Sequence, residues 1–234
     1  MLNLPDLLRV PQVDSGLGFD ISSDGQHVAF AWNKTGNWEI FVLSLRALAS
    51  SSTSLRSVSA QRDRLTMVSV GKGAKFAPRY SRDGKFLAYA LDLDGSESYH
   101  IILHDLETNS HTDLTSDSAY AHQPNFAFSP DEKTLATLSD EQGQFSLYIL
   151  SIETGDKRLL LDLHRPIWDV KWSPDGKWIA AEAEMEASDR GLFVVEVESG
   201  KWKQIQLNDK RLNAMQPAWS PDSKFIAFSA ESGE

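Results

Sequence analysis

The chain repeats a pattern in which one large apolar residue precedes a polar turn and a short apolar run follows it. Five segments of ten residues carry this pattern without gaps, at 21–30, 80–89, 128–137, 172–181 and 219–228. The turn reads Ser-Pro-Asp-Gly-Lys in the copy at 173–177. Proline presets φ at the second turn position, aspartate accepts a hydrogen bond from the main chain ahead, and glycine tolerates a positive φ. Each segment therefore predicts two strands joined by a tight turn.

The turns recur at the interval that is typical of propeller blades. Their aspartates stand at positions 24, 83, 131, 175 and 222, at intervals of 59, 48, 44 and 47 residues. Blades of β-propellers repeat every ~40–50 residues. The longer first interval contains a serine-rich stretch at 47–60, which predicts a solvated loop inserted into the first blade.

Each repeat also contains two further strands. After a second turn with Gly36, Gly95 or Gly143, an alternating strand such as 145–152 and a tight hairpin lead to a short last strand. Four strands per repeat predict an all-β fold, a β-propeller of four-stranded antiparallel blades, with four complete blades and a truncated fifth. The predicted bounds are a lead segment at 1–16 and a propeller at 17–234, with blades near 17–72, 73–118, 119–164, 165–210 and 211–234.

Two positions of the repeat are expected to be buried. The residue before the serine is large and apolar, so we expect it to end a strand with its side chain in the blade core. The third residue of the following strand is always alanine, which indicates a close approach of two blades where a larger side chain would clash. The residues are Ile21, Tyr80, Phe128, Trp172 and Trp219 at the first position, and Ala29, Ala88, Ala136, Ala180 and Ala227 at the second.

The fifth copy of the repeat stops inside its second turn, at 232–234, without its two outer strands. A propeller that is not completed leaves sheet faces and edges exposed to solvent. We therefore expect the sequence to be a piece of a longer polypeptide.

The composition and charge of the chain limit the kinds of molecule that it is expected to bind. The 234 residues carry a formal net charge of −10, without the basic stripe that is typical of nucleic-acid binding. Cysteine is absent, which excludes disulfides, cysteine zinc sites and a cysteine nucleophile. No stretch is apolar enough to predict a membrane span, and 1–13 lacks the features of a signal peptide. We expect a cytoplasmic protein that binds neither nucleic acid nor membrane.

The sequence lacks the common motifs of catalysis. It has no Gly-x-Ser-x-Gly nucleophile elbow, no glycine-rich phosphate loop and no His-Glu-x-x-His. We therefore expect no catalytic residue and no cofactor in this chain.

Two groups of residues invite comparison with metal sites. His100 and His104 lie on one face of a predicted strand, with His111 across the hairpin, so a zinc site is conceivable. We favour histidines that are exposed or hydrogen-bonded within the sheet. Asp92 and Asp94 stand in an acidic turn with Glu97 but lack the full calcium-loop pattern, which favours a solvated turn. No metal site is predicted.

The repeat resembles that of a known family. The segment 172–180, Trp-Ser-Pro-Asp-Gly-Lys-Trp-Ile-Ala, resembles the WD40-like repeat, also called PD40. TolB and the propeller domains of serine peptidases of the prolyl oligopeptidase family (S9) share this repeat. The segments 4–11, 32–41 and 75–80 are similar to the acylaminoacyl-peptidase and dipeptidyl-peptidase members of that family.

The resemblance implies a function that depends on a second domain. In the family, a propeller precedes an α/β-hydrolase domain with a Ser-Asp-His triad and admits only small peptides to it. The chain would then be a non-catalytic propeller domain whose partner is a peptide substrate or a hydrolase domain of the same polypeptide. The alternative is a TolB-like propeller scaffold for protein–protein interaction.

Three residues are candidates for substrate contact. In dipeptidyl peptidases of the family, propeller glutamates hold the free amine of the substrate, which makes Glu182 and Glu184 candidates for that role. Their sequence context differs from the motif of those enzymes, and a charged loop tip is the alternative interpretation. Trp168 follows Pro166 in a connection between blades, where it is expected either to reach a bound ligand or to pack.

Overall fold

The fold is all-β within the part of the chain that the structure describes. The structure is a computed structural model, and its described residues are 11–45, 65–116, 118–186, 189–206 and 213–231. These residues contain eighteen strands, β1 to β18, and no helix. The strands form four four-stranded sheets and one two-stranded sheet, all antiparallel, which confirms the predicted propeller blades. The predicted loop at 47–60 lies outside the described residues.

The first of two compact units comprises residues up to 116 and holds two blades. Each of its sheets has its strands in chain order. The first sheet consists of β1 (Phe19–Ile21), β2 (His27–Trp32), β3 (Glu39–Ser44) and β4 (Leu65–Met67). The second consists of β5 (Ala74–Tyr80), β6 (Phe86–Asp92), β7 (Tyr99–Asp105) and β8 (Ser110–Asp113). In the lead segment, Val13 forms an antiparallel bridge with Trp32 of the first sheet.

The second unit starts at residue 117 and holds the other three sheets. The third sheet consists of β9 (Ala127–Phe128), β10 (Thr134–Ser139), β11 (Ser146–Ser151) and β12 (Lys157–Leu161). The fourth consists of β13 (Ile167–Trp172), β14 (Trp178–Glu184), β15 (Arg190–Glu196) and β16 (Trp202–Gln204). The fifth, the predicted partial blade, consists of β17 (Asn213–Trp219) and β18 (Ile226–Glu231).

Three hydrogen bonds made by the serine and the aspartate of the repeat close the hairpin between the first two strands of every sheet. We call this set of bonds the clamp. In the fourth sheet, the Ser173 hydroxyl accepts a hydrogen bond from the Trp178 N–H at 3.0 Å and donates to Asp175 Oδ1 at 2.6 Å. Asp175 Oδ1 also accepts from the Lys177 N–H at 3.1 Å. The same three bonds recur in the other four hairpins. The serine thus anchors the turn together with the predicted aspartate.

The clamp changes the acidity of its aspartates. The pKa values of Asp131, Asp175 and Asp222 are lowered, chiefly because the hydroxyl of the clamp serine donates to each carboxylate. The clamp also imposes the left-handed conformation at the glycine position, where φ is 72° for Gly176. Glu132 takes that place in the third sheet with φ 62°, so the conformation persists without glycine.

The alanine position of the repeat is buried wherever the sheet is complete. Ala29, Ala88, Ala136 and Ala180 have no exposed surface, which confirms their predicted burial. Ala227 is exposed, because its strand belongs to the two-stranded sheet and has no third strand beside it in the described chain.

In the fourth and fifth sheets, the residue before the serine packs against the preceding sheet rather than only inside its own blade. The Trp172 indole N–H donates to the Ala127 carbonyl at 3.1 Å, and the Trp219 indole donates to the Lys171 carbonyl at 3.0 Å. Ile21 is 50% exposed, so its predicted burial is wrong. It lies in the first sheet, which no earlier sheet of the described residues precedes.

A buried ion pair joins the first two sheets. Lys75 Nζ, which is fully buried, lies 3.0 Å from Glu39 Oε2 and donates to the Gly71 carbonyl at 2.6 Å. The Ser69 hydroxyl donates to Glu39 Oε2 at 2.5 Å and accepts the Ile40 N–H at 2.9 Å. The pair thus joins β3 of the first sheet to β5 of the second, and Ser69 and Gly71 in the connection between β4 and β5 complete its hydrogen bonds.

We expect Ser129→Ala to lower stability and Ser139→Ala, a change in the same blade, to leave it unchanged or raise it. Ser129→Ala removes the clamp bonds to Asp131 and Thr134, and should lower the free energy of unfolding by about 1–2 kcal/mol. Ser139 is buried and its hydroxyl has no hydrogen-bond partner among the described residues, so Ser139→Ala should be neutral or stabilising. Urea unfolding of both variants measures the difference, and equal losses would contradict the clamp's role.

Removing the lysine of the buried pair should be costly. Lys75→Met leaves the Glu39 carboxylate buried without its counter-ion, and should lower the free energy of unfolding by about 3–5 kcal/mol. Adding Glu39→Gln should recover part of this loss, because the uncompensated charge disappears. Urea unfolding checks both variants against Lys72→Met, whose lysine is exposed and should tolerate the change.

Candidate functional site

Two strands of the fourth sheet bring the predicted site residues together. Glu182 and Glu184 stand two apart at the end of β14, so their side chains share one face of the strand. Trp168 lies near the start of β13, where Ile167 pairs with Ala183 and the register then shifts. Trp168 is the extra residue of this bulge, a feature that reorients a side chain relative to the regular strand.

Arg190 links the three residues into a cluster that sequence reasoning did not include. As the first residue of β15, it pairs with Glu184 across the sheet. Its Cζ lies 5.1 Å from the centroid of the Trp168 ring, and its Nε lies 4.0 Å from Glu182 Oε1. The Trp168 indole N–H donates to Glu184 Oε2 at 3.3 Å. We call Trp168, Glu182, Glu184 and Arg190 the Trp168 cluster.

The fifth sheet holds the cluster in place. The Gln216 N–H donates to Glu182 Oε2 at 3.0 Å, from a bulge in β17 where Gln216 has φ 58°. The Arg190 N–H donates to Asn213 Oδ1 at 2.9 Å, and Asn213 Nδ2 donates to Glu231 Oε2 at 3.3 Å. The two glutamates of the cluster are therefore not a charged loop tip. They lie in a strand, and the Glu182 side chain is only 14% exposed.

The Trp168 cluster offers one donor and one acceptor that no described residue uses. Arg190 Nη1 is buried and has no hydrogen-bond partner among these residues. Glu184 is bonded there through Oε2, and its Oε1 accepts no hydrogen bond in the described chain. A guanidinium donor beside a carboxylate acceptor complements the carbonyl and the N–H or amine groups of a peptide main chain. The arrangement is suited to binding polar groups.

The three histidines of the second sheet are engaged with the sheet itself. The His104 and His111 rings stack with centroids 4.1 Å apart, and His111 Nδ1 lies 3.2 Å from the Tyr89 hydroxyl. His100 Nδ1 lies 2.7 Å from Asp113 Oδ2. No group of three or more His, Cys, Asp or Glu side chains within the described ranges is arranged to hold a metal ion. The favoured interpretation as hydrogen-bonded strand histidines is confirmed.

The acidic turn near Gly95 is built differently from the prediction. Asp92 is buried rather than solvated, with 6% of its surface exposed. Its carboxylate accepts the main-chain N–H groups of Gly95 at 2.8 Å and Glu97 at 3.3 Å, so it anchors the turn from within. Asp94 is exposed, and its pKa is lowered chiefly by a hydrogen bond from the Ser96 hydroxyl.

The described residues contain no helix of the length and apolarity needed to cross a membrane.

A family match places this chain among known propellers. The family described as the TolB beta propeller domain, PD40, matches residues 49–234. The chain belongs to this TolB β-propeller family. The resemblance that the repeat predicted is thereby confirmed.

One curated relative of this TolB-family chain is a peptidase. The chain is 30% identical over 193 residues to a protein of Bacillus subtilis named "Uncharacterized peptidase YuxL". The match covers 65% of the chain and 29% of YuxL, so the chain spans less than a third of this relative.

Solved structures show the same fold at lower identity. TolB from Acinetobacter baumannii has a TM-score of 0.66 at 20% identity, over 92% of this chain and 48% of that one. A puromycin-hydrolyzing peptidase of Mycobacterium tuberculosis has a TM-score of 0.66 at 13% identity, over 86% of this chain and 32% of that one. These likenesses establish the propeller fold that this family member shares with both.

The stacked histidine pair predicts a loss of stability in acid. Burial, and then the nearby His104, lower the pKa of His111 below its ordinary value of 6.5. The unfolded chain therefore binds this proton more readily than the folded chain does. The contribution of His111 to the free energy of unfolding is fully present above pH 6.5 and is lost as the pH falls below that value. His104→Asn should return the pKa of His111 only part of the way to 6.5, because burial is the larger cause of its lowering.

Proton NMR titration of the imidazole signals measures this shift. A His111 pKa at or above the ordinary value of 6.5 would contradict the burial argument. Urea unfolding between pH 7 and 5 should show a smaller loss for His111→Gln than for the unchanged chain.

Proposed function

We propose that this chain is the non-catalytic β-propeller domain of a serine peptidase of the prolyl oligopeptidase family. The observation that carries the proposal is the 30% identity to the peptidase YuxL, within a chain of the TolB β-propeller family. The chemistry would belong to an α/β-hydrolase domain elsewhere in the same polypeptide. The cytoplasm, predicted from the sequence, is the proposed location.

The proposed action of the propeller is steric. Its blades are closely packed, since strands such as β10 are buried along almost their whole length, and such packing would make the propeller a rigid body. A rigid cover over a hydrolase domain would admit short, flexible peptides and exclude folded polypeptides. The domain would therefore set the size of the substrate without touching the bond that is cleaved.

The Trp168 cluster is the proposed contact with the substrate. Arg190 would donate to a main-chain carbonyl of the peptide, and Glu184 would accept from an N–H or a free amine. Glu182 would act through Arg190 as a positioning residue, since it is already bonded to Gln216 of the fifth sheet. The Trp168 ring would hold the guanidinium of Arg190 in place through a cation–π contact.

The test uses the polypeptide encoded by the complete gene. A coding sequence that continues beyond Glu234 into a Gly-x-Ser-x-Gly motif, followed by an Asp and a His, supports the peptidase. In that enzyme, Glu184→Gln should raise KM for short peptides about tenfold with kcat little changed, because a charged acceptor is lost. Steady-state kinetics on a series of peptide lengths measures this effect together with the size limit.

Glu198→Gln is the matched control, because Glu198 is an exposed glutamate at a hairpin of the same sheet. Its KM should equal that of the unchanged enzyme. Equal KM values for Glu184→Gln and Glu198→Gln would remove the cluster from the substrate site. Cleavage of folded proteins as fast as of short peptides would refute the steric role.

A scaffold for protein–protein interaction is the second candidate function. The TolB description of the matching family favours it. A stop codon soon after the last blade, with no hydrolase domain, would support the scaffold over the peptidase. Peptide or protein partners would then bind the propeller without being cleaved.

A further inference from the structure

A groove lies between the third and fourth sheets, beside their repeat hairpins. It has a volume of about 470 Å³, which falls within the range of small-molecule sites. Apolar and charged side chains line it together with polar residues of the two hairpins. They are Ile149, Trp172 and Val197 among the apolar residues, and Asp131, Asp175 and Arg158 among the charged ones. We call this cavity the hairpin groove.

The parts of the chain that border the hairpin groove all lie within the described residues. They are the hairpins at 128–134 and 172–178 and those at 151–157 and 196–202. In an antiparallel sheet, these hairpins share one end of the strands, and the turn from the second to the third strand lies at the other end. The described neighbours of 187–188 and 207–212 lie at that other end, because they are next to the ends of β14 and β16. The Trp168 cluster also lies there, since it joins the start of β13 to the end of β14.

The negative charge of the groove comes from two clamp aspartates, Asp131 and Asp175, whose pKa values are lowered chiefly by the clamp serines. In the second and fifth sheets, the lysine two places after the clamp aspartate forms an ion pair with it, with N–O distances of 3.4 Å and 3.7 Å. Lys133 and Lys177 stand at the same place in the hairpins of the groove and form no such pair in the described chain. The clamp bonds engage Oδ1 of each aspartate. Oδ2 of both therefore has no donor or counter-ion among the described residues.

Arg158 supplies the positive charge of the groove. It pairs with Ile149 across β12 and β11, and its Nη2 donates to the Val197 carbonyl at 3.1 Å. This bond holds the guanidinium across the gap between the two sheets. In the described chain it engages one of the five N–H donors, and the group forms no ion pair there. A guanidinium with unused donors can bind a carboxylate through two parallel hydrogen bonds.

We propose that the hairpin groove binds a short peptide with a free amine and a free carboxylate, such as an unblocked dipeptide with an apolar side chain. The ammonium group would pair with the carboxylates of Asp131 and Asp175, and the carboxylate would accept hydrogen bonds from Arg158. The apolar side chain would lie against Trp172 and Ile149. A zwitterion suits this site better than a simple ion, because the two carboxylates repel an anion and the guanidinium repels a cation. The site is separate from the Trp168 cluster and does not depend on the proposed peptidase function.

The experiment titrates the 234-residue chain with three forms of one dipeptide. They are Ala-Leu, acetyl-Ala-Leu, which lacks the positive charge, and Ala-Leu amide, which lacks the negative charge. Amide signals of Gly176 and Val197 in ¹⁵N–¹H NMR spectra report binding to the hairpin groove. Ala-Leu should shift these signals in a saturable manner, with a dissociation constant on the order of 1 mM. Each blocked form should bind about fivefold more weakly, because it loses one ion pair near the surface.

Two single variants assign the two charges of the peptide. Asp175→Asn removes a carboxylate but keeps the clamp, since an amide oxygen can accept the same two hydrogen bonds. It should weaken binding of Ala-Leu and leave that of acetyl-Ala-Leu unchanged. Arg158→Thr removes the guanidinium, at a position where β4 and β8 carry threonine. It should weaken binding of Ala-Leu and leave that of Ala-Leu amide unchanged.

Asp222→Asn and Lys203→Thr are the matched controls. Asp222 makes the same clamp bonds in the fifth sheet, and Lys203 pairs with Val194 as Arg158 pairs with Ile149. Both controls should bind Ala-Leu as the unchanged chain does, and unchanged dispersion of the other signals verifies that each variant folds. Equal binding of the three peptides, equal losses in the variants and their controls, or shifts confined to other parts of the chain would overturn the proposal.

Discussion

The structure depends on the mutual covering of sheets that are apolar on both faces. A strand such as β10 is buried along nearly all of its length, which a single sheet in water cannot achieve. The core of the second unit accordingly combines residues of the third and fourth sheets, and that of the first unit combines residues of the first and second. The alanine position has no exposed surface in the four four-stranded sheets. The serine–aspartate clamps fix the strand register that places each alanine in the core.

The turn between the second and third strands shows how one repeat position serves two purposes. Glu39 and Arg190 both open a third strand and pair with the last residue of the second strand. In the first unit, the charge at this position is neutralised by the buried Lys75 and joins two blades. In the second unit, Arg190 has one buried donor without a partner among the described residues, beside an aromatic ring and two carboxylates. The same backbone position thus carries a neutralised charge in one copy and a charge with an unused donor in the described part of another.

Features that are determined within a few residues were predictable from the sequence, and features that depend on distant neighbours were not. The hairpins and the four-strand blades followed from turn chemistry and alternation, because both act locally. The sequence identifies Glu182 and Glu184 as candidates but not Arg190, because only strand pairing brings Arg190 to them. Ile21 is exposed although the pattern predicts its burial, since the corresponding Trp172 packs on a preceding sheet and Ile21 has no such sheet in the described chain. Asp92 looked like a solvated residue and is buried, because main-chain donors surround it.

The hairpin clamp has a consequence for how such domains diverge. Glu132 and Ser223 adopt the left-handed conformation where other copies have glycine, with φ 62° and 61°. The strain of a side chain there, about 1–2 kcal/mol, is offset by hydrogen bonds that the serine and the aspartate make in every copy. The glycine can therefore be replaced by other residues during evolution, whereas the serine and the aspartate are retained. Degenerate blades in distant proteins should accordingly be sought by that polar pair and its spacing.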